Sequence, residues 1–344
     1  MKVTQQTALK NRNSLSLPAR CQRLIEIENR SDFNDLPALI KANEPVHILG
    51  GGSNTVLTQS HLPHTVITQT PPETAEQGIT LEGELVLVDA GAPWPEMVHW
   101  AVNHGLGGIE NLAAIPGSCG AAPIQNIGAY GVELKDVLEW VEIFDWRLGR
   151  FFTVNNAQCQ FGYRNSYFKR HPEKPWIITR LAMRLRSDSP LRLHYSGVRE
   201  TLIHLGHQPE TASYAQVAQA ITTLRAQKLP NPAILPNAGS FFKNPVISDA
   251  HYAALKHNFP ALPHWPQEHG GHKISAAWLI QRLGLQNIRV GDAGFYRKHA
   301  LIVVNYGQAS GADVLALARY VITRVQKATD ITLEVEPVCL PETI

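Results

Sequence analysis

The stretch from Asn111 to Gly131 constrains this chain more than any other: twenty-one residues hold four glycines and no Lys, Arg or His. Small residues at this density build neither a good helix nor a regular sheet. They let a planar ligand lie against bare backbone. A plain surface loop is the alternative, but Ile115, Ile124 and Ile127 are too apolar for one, so a ligand-wrapping loop is expected. A second glycine-dense run, Gly50-Gly51-Gly52-Ser53-Asn54, follows the apolar strand pattern Val46-His47-Ile48-Leu49. Its glycines admit positive φ and close approach, and its successive N–H groups can form an anion nest. It is not a dinucleotide fingerprint, because the third glycine position and the following helix are missing. It is not a P-loop, because no Gly-Lys-Ser/Thr follows. A tight turn between strands and a phosphate cradle both remain open.

Around these runs the pattern is strand-rich at first. Residues 65–68, 84–91, 137–146, 151–154 and 177–185 alternate or run apolar as strands do, and 95–104 has helical spacing. The first fifteen residues are polar and are expected to be poorly ordered. The later third changes character. Helices are expected over 214–228, closed by Leu229-Pro230, over 249–257 with Ser248-Asp249 as cap, over 274–283 and over 310–327. Strands are expected over 300–305 and 331–336. The class is α+β. Pro71-Pro72 and Leu229-Pro230-Asn231-Pro232 mark candidate boundaries.

Composition closes off several functions. The 344 residues are 44% hydrophobic and 17% charged, enough for a sizeable core, and about 100–200 residues per domain suggests two or three domains. A net charge of +2 leaves no excess to drive nucleic-acid binding. No apolar run nears the roughly 18–20 residues that span a bilayer, and the N-terminus lacks a signal-peptide core. Cys21, Cys119, Cys159 and Cys339 form no C-x-x-C pair and no disulfide framework, so a reducing cytoplasm is the expected home. Among the histidines, His269-Gly270-Gly271-His272 comes nearest to a metal pair. Its glycines give no helix to hold two ligands on one face, and no metal is expected.

Three more segments carry chemistry: Phe161-Gly162-Tyr163-Arg164; Asn237-Ala238-Gly239-Ser240-Phe241-Phe242-Lys243-Asn244-Pro245; and Leu333-Glu334-Val335-Glu336-Pro337. Ser240 has neither the lysine spacing nor the elbow of a nucleophilic serine. Strand alternation sends Glu334 and Glu336 to one face, ordinarily a solvated one.

Taken in order over roughly residues 45–336, these five segments resemble the UDP-N-acetylenolpyruvoylglucosamine reductases. The most specific parts are Ile115-Pro116-Gly117 through Pro123-Ile124-Gln125-Asn126-Ile127-Gly128-Ala129-Tyr130-Gly131, then Gly162-Tyr163-Arg164 and Ala238 to Pro245. The stretch between residues 186 and 215, with Tyr195, looks like the longer (type I) form, in which a tyrosine-bearing loop closes over the substrate. The resemblance implies an α+β FAD-binding fold of the vanillyl-alcohol-oxidase type in two subdomains, 1–70 completed by 331–344 and 71–228, plus a substrate-binding domain at 229–330. It implies FAD as cofactor, NADPH as co-substrate and a monomer. NADPH gives a hydride to the flavin, and the reduced flavin gives one to the enolpyruvyl methylene carbon of the UDP-sugar.

By the same resemblance Arg164 and Glu336 stabilise the enolate and Ser240 donates the proton. Gly51, Gly52, Ser53 and Asn54 meet the FAD pyrophosphate. Pro116, Gly117, Ser118, Gly120, Ala121, Gln125, Asn126, Gly128, Ala129, Tyr130 and Gly131 line the flavin. Tyr163, Tyr195, Lys228 and Asn244 serve the substrate; for Lys228 a helix C-terminal cation is the competing reading. Two positions depart from the family pattern. Asn13-Ser14-Leu15 stands for an Asn-Thr-Phe-like motif, and Pro337-Val338-Cys339 follows Glu336 where the family often has an apolar residue and then Arg. The rival readings are a flavin oxidase on the same fold, betrayed by oxygen consumption, and a nucleotide-sugar binder without flavin.

Overall fold

Alternating apolar residues shape the first two-thirds of the chain. The computed structural model describes residues 1–268 and 270–341. The chain divides into two compact units: Met1–Thr7, Cys21–Gly51 and Pro63–Gln227 in the first; Ala8–Arg20, Gly52–Leu62 and the chain from Lys228 onward in the second.

The first unit is built on a five-stranded sheet ordered Arg150–Asn155, Leu138–Asp145, Trp176–Met183, Leu85–Asp89, Ile79–Glu82, all neighbours antiparallel. Period-two side chains separate its faces. Val141, Ile143, Leu181, Met183, Val86 and Val88 join a core with the helices Trp94–Asn103 and Tyr214–Lys228. The second of these helices buries Val217, Ala218, Ala220, Ile221 and Leu224, a stripe at helical spacing. It ends at Lys228 because Pro230 bars the residue before it from continuing the helix. On the opposite face Phe144 and Ile177 meet Ile25, Ile27 and Ile67 of a four-stranded sheet and Phe33 of the 3₁₀ turn Arg30–Asp35, with the Phe33 and Phe144 rings 5.4 Å apart. That sheet is ordered Lys2–Ala8, Arg20–Ile27, His61–Gln69, Val46–Ile48, and its last pair is parallel. The chain passes through Pro71-Pro72 inside this unit.

The second unit carries a sheet ordered Asn237–Ser240, His299–Asn305, Ala293–Tyr296, Arg289–Val290. The helix Gly311–Thr329, capped reciprocally by Ser310 and Asp313, buries Val314, Leu317, Ala318, Val321 and Val325. A small sheet of Val246–Ile247, His272–Ile274 and His264–Pro266 lies beside it in sequence. The strand Val338–Leu340 runs parallel to Thr55–Leu57.

Three sequence expectations fail. The polar N-terminus is ordered: Lys2–Ala8 is a strand, and Leu9 and Leu15 are fully buried. Its polar residues are those of an outermost strand, whose ladder bonds need no apolar side chains. Residues 331–336 form no regular strand, only one bridge between Phe242 and Val335. Pro337 lacks the N–H to extend it, and the regular strand begins at Val338. The helix expected from Ile274 starts at Ala276 with Ser275 as cap, because Ile274 is taken by a strand.

Candidate active site

In the first unit the two glycine-dense segments lie back to back. A Cβ on Gly51 would stand 2.9 Å from Gly117 Cα, so only glycine permits that approach. Gly117 and its neighbours are pinned from behind: Trp94 N–H donates to Gly117 O at 2.9 Å, Cys119 N–H to Ala92 O at 2.8 Å and Gly120 N–H to Ala90 O at 2.9 Å. The N–H groups of Gly50, Gly51, Gly117 and Ser118 donate to no acceptor among the described residues. Backbone donors held close together without a protein partner suit the oxygens of a phosphate. In the second unit Gly52 takes a φ of +62°, and a Cβ there would meet Arg12 O at 2.1 Å.

Past the 3₁₀ turn Cys119–Ile124 the loop closes in a hairpin, Gly128–Ala129 against Val132–Glu133. Its two loop residues, Tyr130 and Gly131, have φ of 50° and 82°. Two-residue hairpins favour positive φ at both positions, which Asn-Gly usually supplies. Here a tyrosine takes the strain. Ala114, Asn126 and Arg164 also have positive φ, at 57°, 49° and 51°. Such clusters of non-glycine outliers mark functional sites more than ordinary loops.

The turn bearing Arg164 is tied to this loop. Gly162 and Asn165 exchange backbone bonds at 3.0 and 3.2 Å. Fully buried Asn126 donates to Glu133 at 2.9 Å and Gly162 O at 3.2 Å, and fully buried Ser166 donates to Ile124 O at 2.6 Å. Arg164 Nη2 donates to Gly128 O at 2.6 Å, and its guanidinium lies 5.4 Å from the Tyr163 ring centre. Sequence reasoning missed Arg225. From the helix Tyr214–Lys228 its Nε donates to Ala114 O at 3.2 Å, and it has no acidic partner among the described residues. Burial pushes its pKa down, and Arg164 pushes the same way against Tyr130. An enclosed cation beside another cation is costly unless an anion joins them. The sequence signal was a lone arginine on the buried side of a helix, three residues before Lys228.

In the second unit a strand irregularity between Asn237 and Ser240, with Gly239 at φ +69°, presents Ser240 opposite Ile302. Phe241 and Phe242 are buried anchors. The segment Glu334–Glu336 runs along them: Lys243 N–H donates to Glu334 O and Glu336 N–H to Phe241 O, both at 2.9 Å. Burial alternates through Glu334 and then breaks. Glu336 is only 9% exposed, whereas the Glu334 side chain is 69% exposed and paired with Lys243. The two carboxylates therefore do not share a solvated face, and the buried one stands beside the Ser240 strand. Asn244 Oδ1 accepts the Ala276 N–H at 3.0 Å, which leaves a ligand role to its amide nitrogen. Lys228 lies near His299, whose pKa is lowered by burial and then by that lysine. The departing motif is structural: Asn13 binds Leu9 O at 2.8 Å and Leu17 O at 3.1 Å, and Ser14 Oγ donates to Asn237 O at 2.6 Å.

Of the residues singled out from sequence, the first unit gathers Gly51, the 116–131 set, Tyr163, Arg164 and Tyr195. The Tyr195 ring lies 5.0 Å from that of Tyr130. The second unit gathers Gly52, Ser53, Asn54, Lys228, Ser240, Asn244 and Glu336. His269 of the weak histidine pair lies outside the described residues. Among those described, no group of three or more His, Cys, Asp or Glu is placed to hold a metal.

Residues 22–155 match the family model of an FAD binding domain, and residues 230–340 that of the C-terminal domain of UDP-N-acetylenolpyruvoylglucosamine reductase. A protein of that reductase name from Xanthomonas axonopodis is 41% identical, over 97% of this chain and 95% of its own. One from Pseudomonas fluorescens is 39% identical, over 97% and 98%. The crystal structure of the reductase from Thermus caldophilus superposes with a TM-score of 0.68 at 27% identity, covering 99% of this chain and 98% of that one.

Proposed function

This chain belongs to the UDP-N-acetylenolpyruvoylglucosamine reductases, which makes it an FAD-containing oxidoreductase, and from that premise we propose that it reduces UDP-N-acetylglucosamine enolpyruvate with NADPH to UDP-N-acetylmuramate, a peptidoglycan precursor. The reading places it in the cytoplasm, with NADPH and substrate using the same space in turn. The domain roles go with it: FAD-binding subdomains at 1–70 with 331–344 and at 71–228, and a substrate domain at 229–330.

The residues present fit FAD. Backbone N–H groups at Gly51, Gly117 and Ser118, without an acceptor among the described residues, suit its pyrophosphate, and the side-chain-poor 116–131 loop suits its ring system. When bound, FAD supplies a two-electron relay between NADPH and the enolpyruvyl methylene carbon.

The chain's own residues handle the charge and the proton. Hydride addition at the methylene carbon leaves a pair of electrons on the adjacent carbon and its carboxylate. Arg164 offers a planar fork for that carboxylate, already held by its bond to Gly128 O. Ser240 Oγ gives its proton to the carbon. An alcohol is a feeble acid in water, yet a carbanion is a far stronger base, so a positioned hydroxyl suffices. Glu336 shares the enolate region. Lys228, Asn244, Tyr163 and Tyr195 hold the UDP-sugar.

The observation that carries this reading is the buried Glu336 bonded to the backbone of Phe241, next to Ser240. Rapid mixing of Ser240→Ala tests it. Flavin bleaching by NADPH is expected at close to the wild-type rate, and reoxidation by substrate slowed by about 10²–10⁴-fold. Normal reoxidation would remove Ser240 from the proton-donor role.

A further inference from the structure

Asn111 sits in the 3₁₀ turn Glu110–Leu112, fully buried, and touches two segments of the first unit at once. Its amide nitrogen donates to Tyr130 O and to Arg192 O, both at 2.8 Å. Tyr130 is the strained tip of the flavin-lining hairpin. Arg192 begins the strap that leads to Tyr195. The strap lies on the hairpin at three further points. Arg192 Nη1 reaches Gly131 O at 3.4 Å. A Cβ on Gly131 would stand 3.0 Å from His194 Nε2. The rings of Tyr130 and Tyr195 meet edge to face, 5.0 Å apart at 73°.

The amide can take only one orientation. Turned over, its oxygen would face two carbonyl oxygens. As it stands, Oδ1 is enclosed and has no hydrogen-bond partner among the described residues. What the two donor bonds secure is the join between hairpin and strap. Aspartate has the same shape but no donors, and it would repel both carbonyls.

We propose that Asn111 is a positioning residue of the substrate site, locking the Arg192–Tyr195 strap to the flavin-lining hairpin so that Tyr195 stands where the substrate meets it. This rests on the functional reading above, which gives Tyr195 a substrate contact. Asn111 itself touches no reacting atom. Small displacements of a positioning group are felt strongly in turnover.

A double-mutant cycle on the holoenzyme tests it, reading bound FAD per chain and the kcat and KM for UDP-N-acetylglucosamine enolpyruvate. Asn111→Asp is expected to keep its FAD and raise KM about tenfold with a smaller change in kcat, while in a Tyr195→Ala background it shifts KM by less than about twofold. A merely structural asparagine would raise KM equally in both backgrounds or release FAD, and either result overturns the proposal. Should Asn111→Asp not fold, Asn111→Ala, which removes both donors without adding a charge, enters the same cycle. It is expected to raise KM about threefold, again only while Tyr195 is present, and an equal effect in both backgrounds overturns the proposal. Wild-type turnover is the control. Its absence defeats the functional reading and this inference with it, whereas turnover with equal effects defeats this inference alone.

Discussion

Glu334 and Glu336 are two residues apart and chemically unlike. Glu334 is an exposed partner of Lys243, the kind of ion pair that contributes about 0–1 kcal/mol. Glu336 is buried against the backbone of Phe241. Glu334→Gln is therefore expected to leave kcat nearly unchanged, and Glu336→Gln to lower it by about 10²-fold or more. Steady-state kinetics on the two variants would reverse the assignment if the ranking were inverted. Arg225 poses the opposite case, a half-buried cation with no acidic partner among the described residues. Arg225→Met keeps most of the bulk and removes the charge. The melting temperature is expected to hold or rise, while substrate or flavin kinetics worsen. A lower melting temperature with intact kinetics would make it structural. His47 gives a pH signature. Its burial, then the neighbouring His64, lowers its pKa from 6.5 to about 4. The folded state thus resists a proton that the unfolded chain accepts. That contribution is complete above pH 6.5 and is lost as pH falls toward about 4. In His47→Phe the acid-side fall of the melting temperature is expected to flatten over that window.

At the scale of elements, legibility followed the strength of the local signal. The helix Tyr214–Lys228 was read to the residue because its apolar stripe ends at a proline that leaves no choice. The helix Gly311–Thr329 was read over 310–327 because Val314, Leu317, Ala318, Val321 and Val325 recur on one side, and the structure adds a reciprocal cap between Ser310 and Asp313. Ser310→Ala is expected to lower stability by about 1 kcal/mol in chemical denaturation without changing turnover. The N-terminal strand was missed because an outermost strand is held by backbone bonds, which composition does not report. The end of the chain was misread because alternation runs cleanly to Glu334 and breaks only where Glu336 is drawn inward by long-range packing. Site legibility followed the same rule. The glycine runs announced themselves, since only glycine allows the approach of Gly51 to Gly117. Gly51→Ala is accordingly expected to abolish retention of FAD, which absorbance on the purified protein would read. Arg225 and the role of Asn111 stayed hidden, because each matters through what the fold brings to it: Arg225 has no distinctive neighbourhood in sequence, and Asn111 opens the glycine-rich stretch without showing which carbonyls it would reach.

At the scale of the whole molecule, the chain divides its labour between two units. The first supplies the donor-rich glycine cradle, Arg164 and Arg225. The second supplies Ser240, Glu336 and Asn244. In the proposed reading the glycine cradle serves the cofactor and Ser240 the proton, so the two half-reactions should be separable by mutation. The most direct measurement is the visible spectrum of the purified protein, taken anaerobically, after NADPH, and again after UDP-N-acetylglucosamine enolpyruvate. The account predicts a yellow protein that bleaches with NADPH and regains its colour with the substrate. A protein that bleaches and stays bleached would contradict the substrate, and a colourless protein that FAD cannot restore would contradict the flavoenzyme altogether.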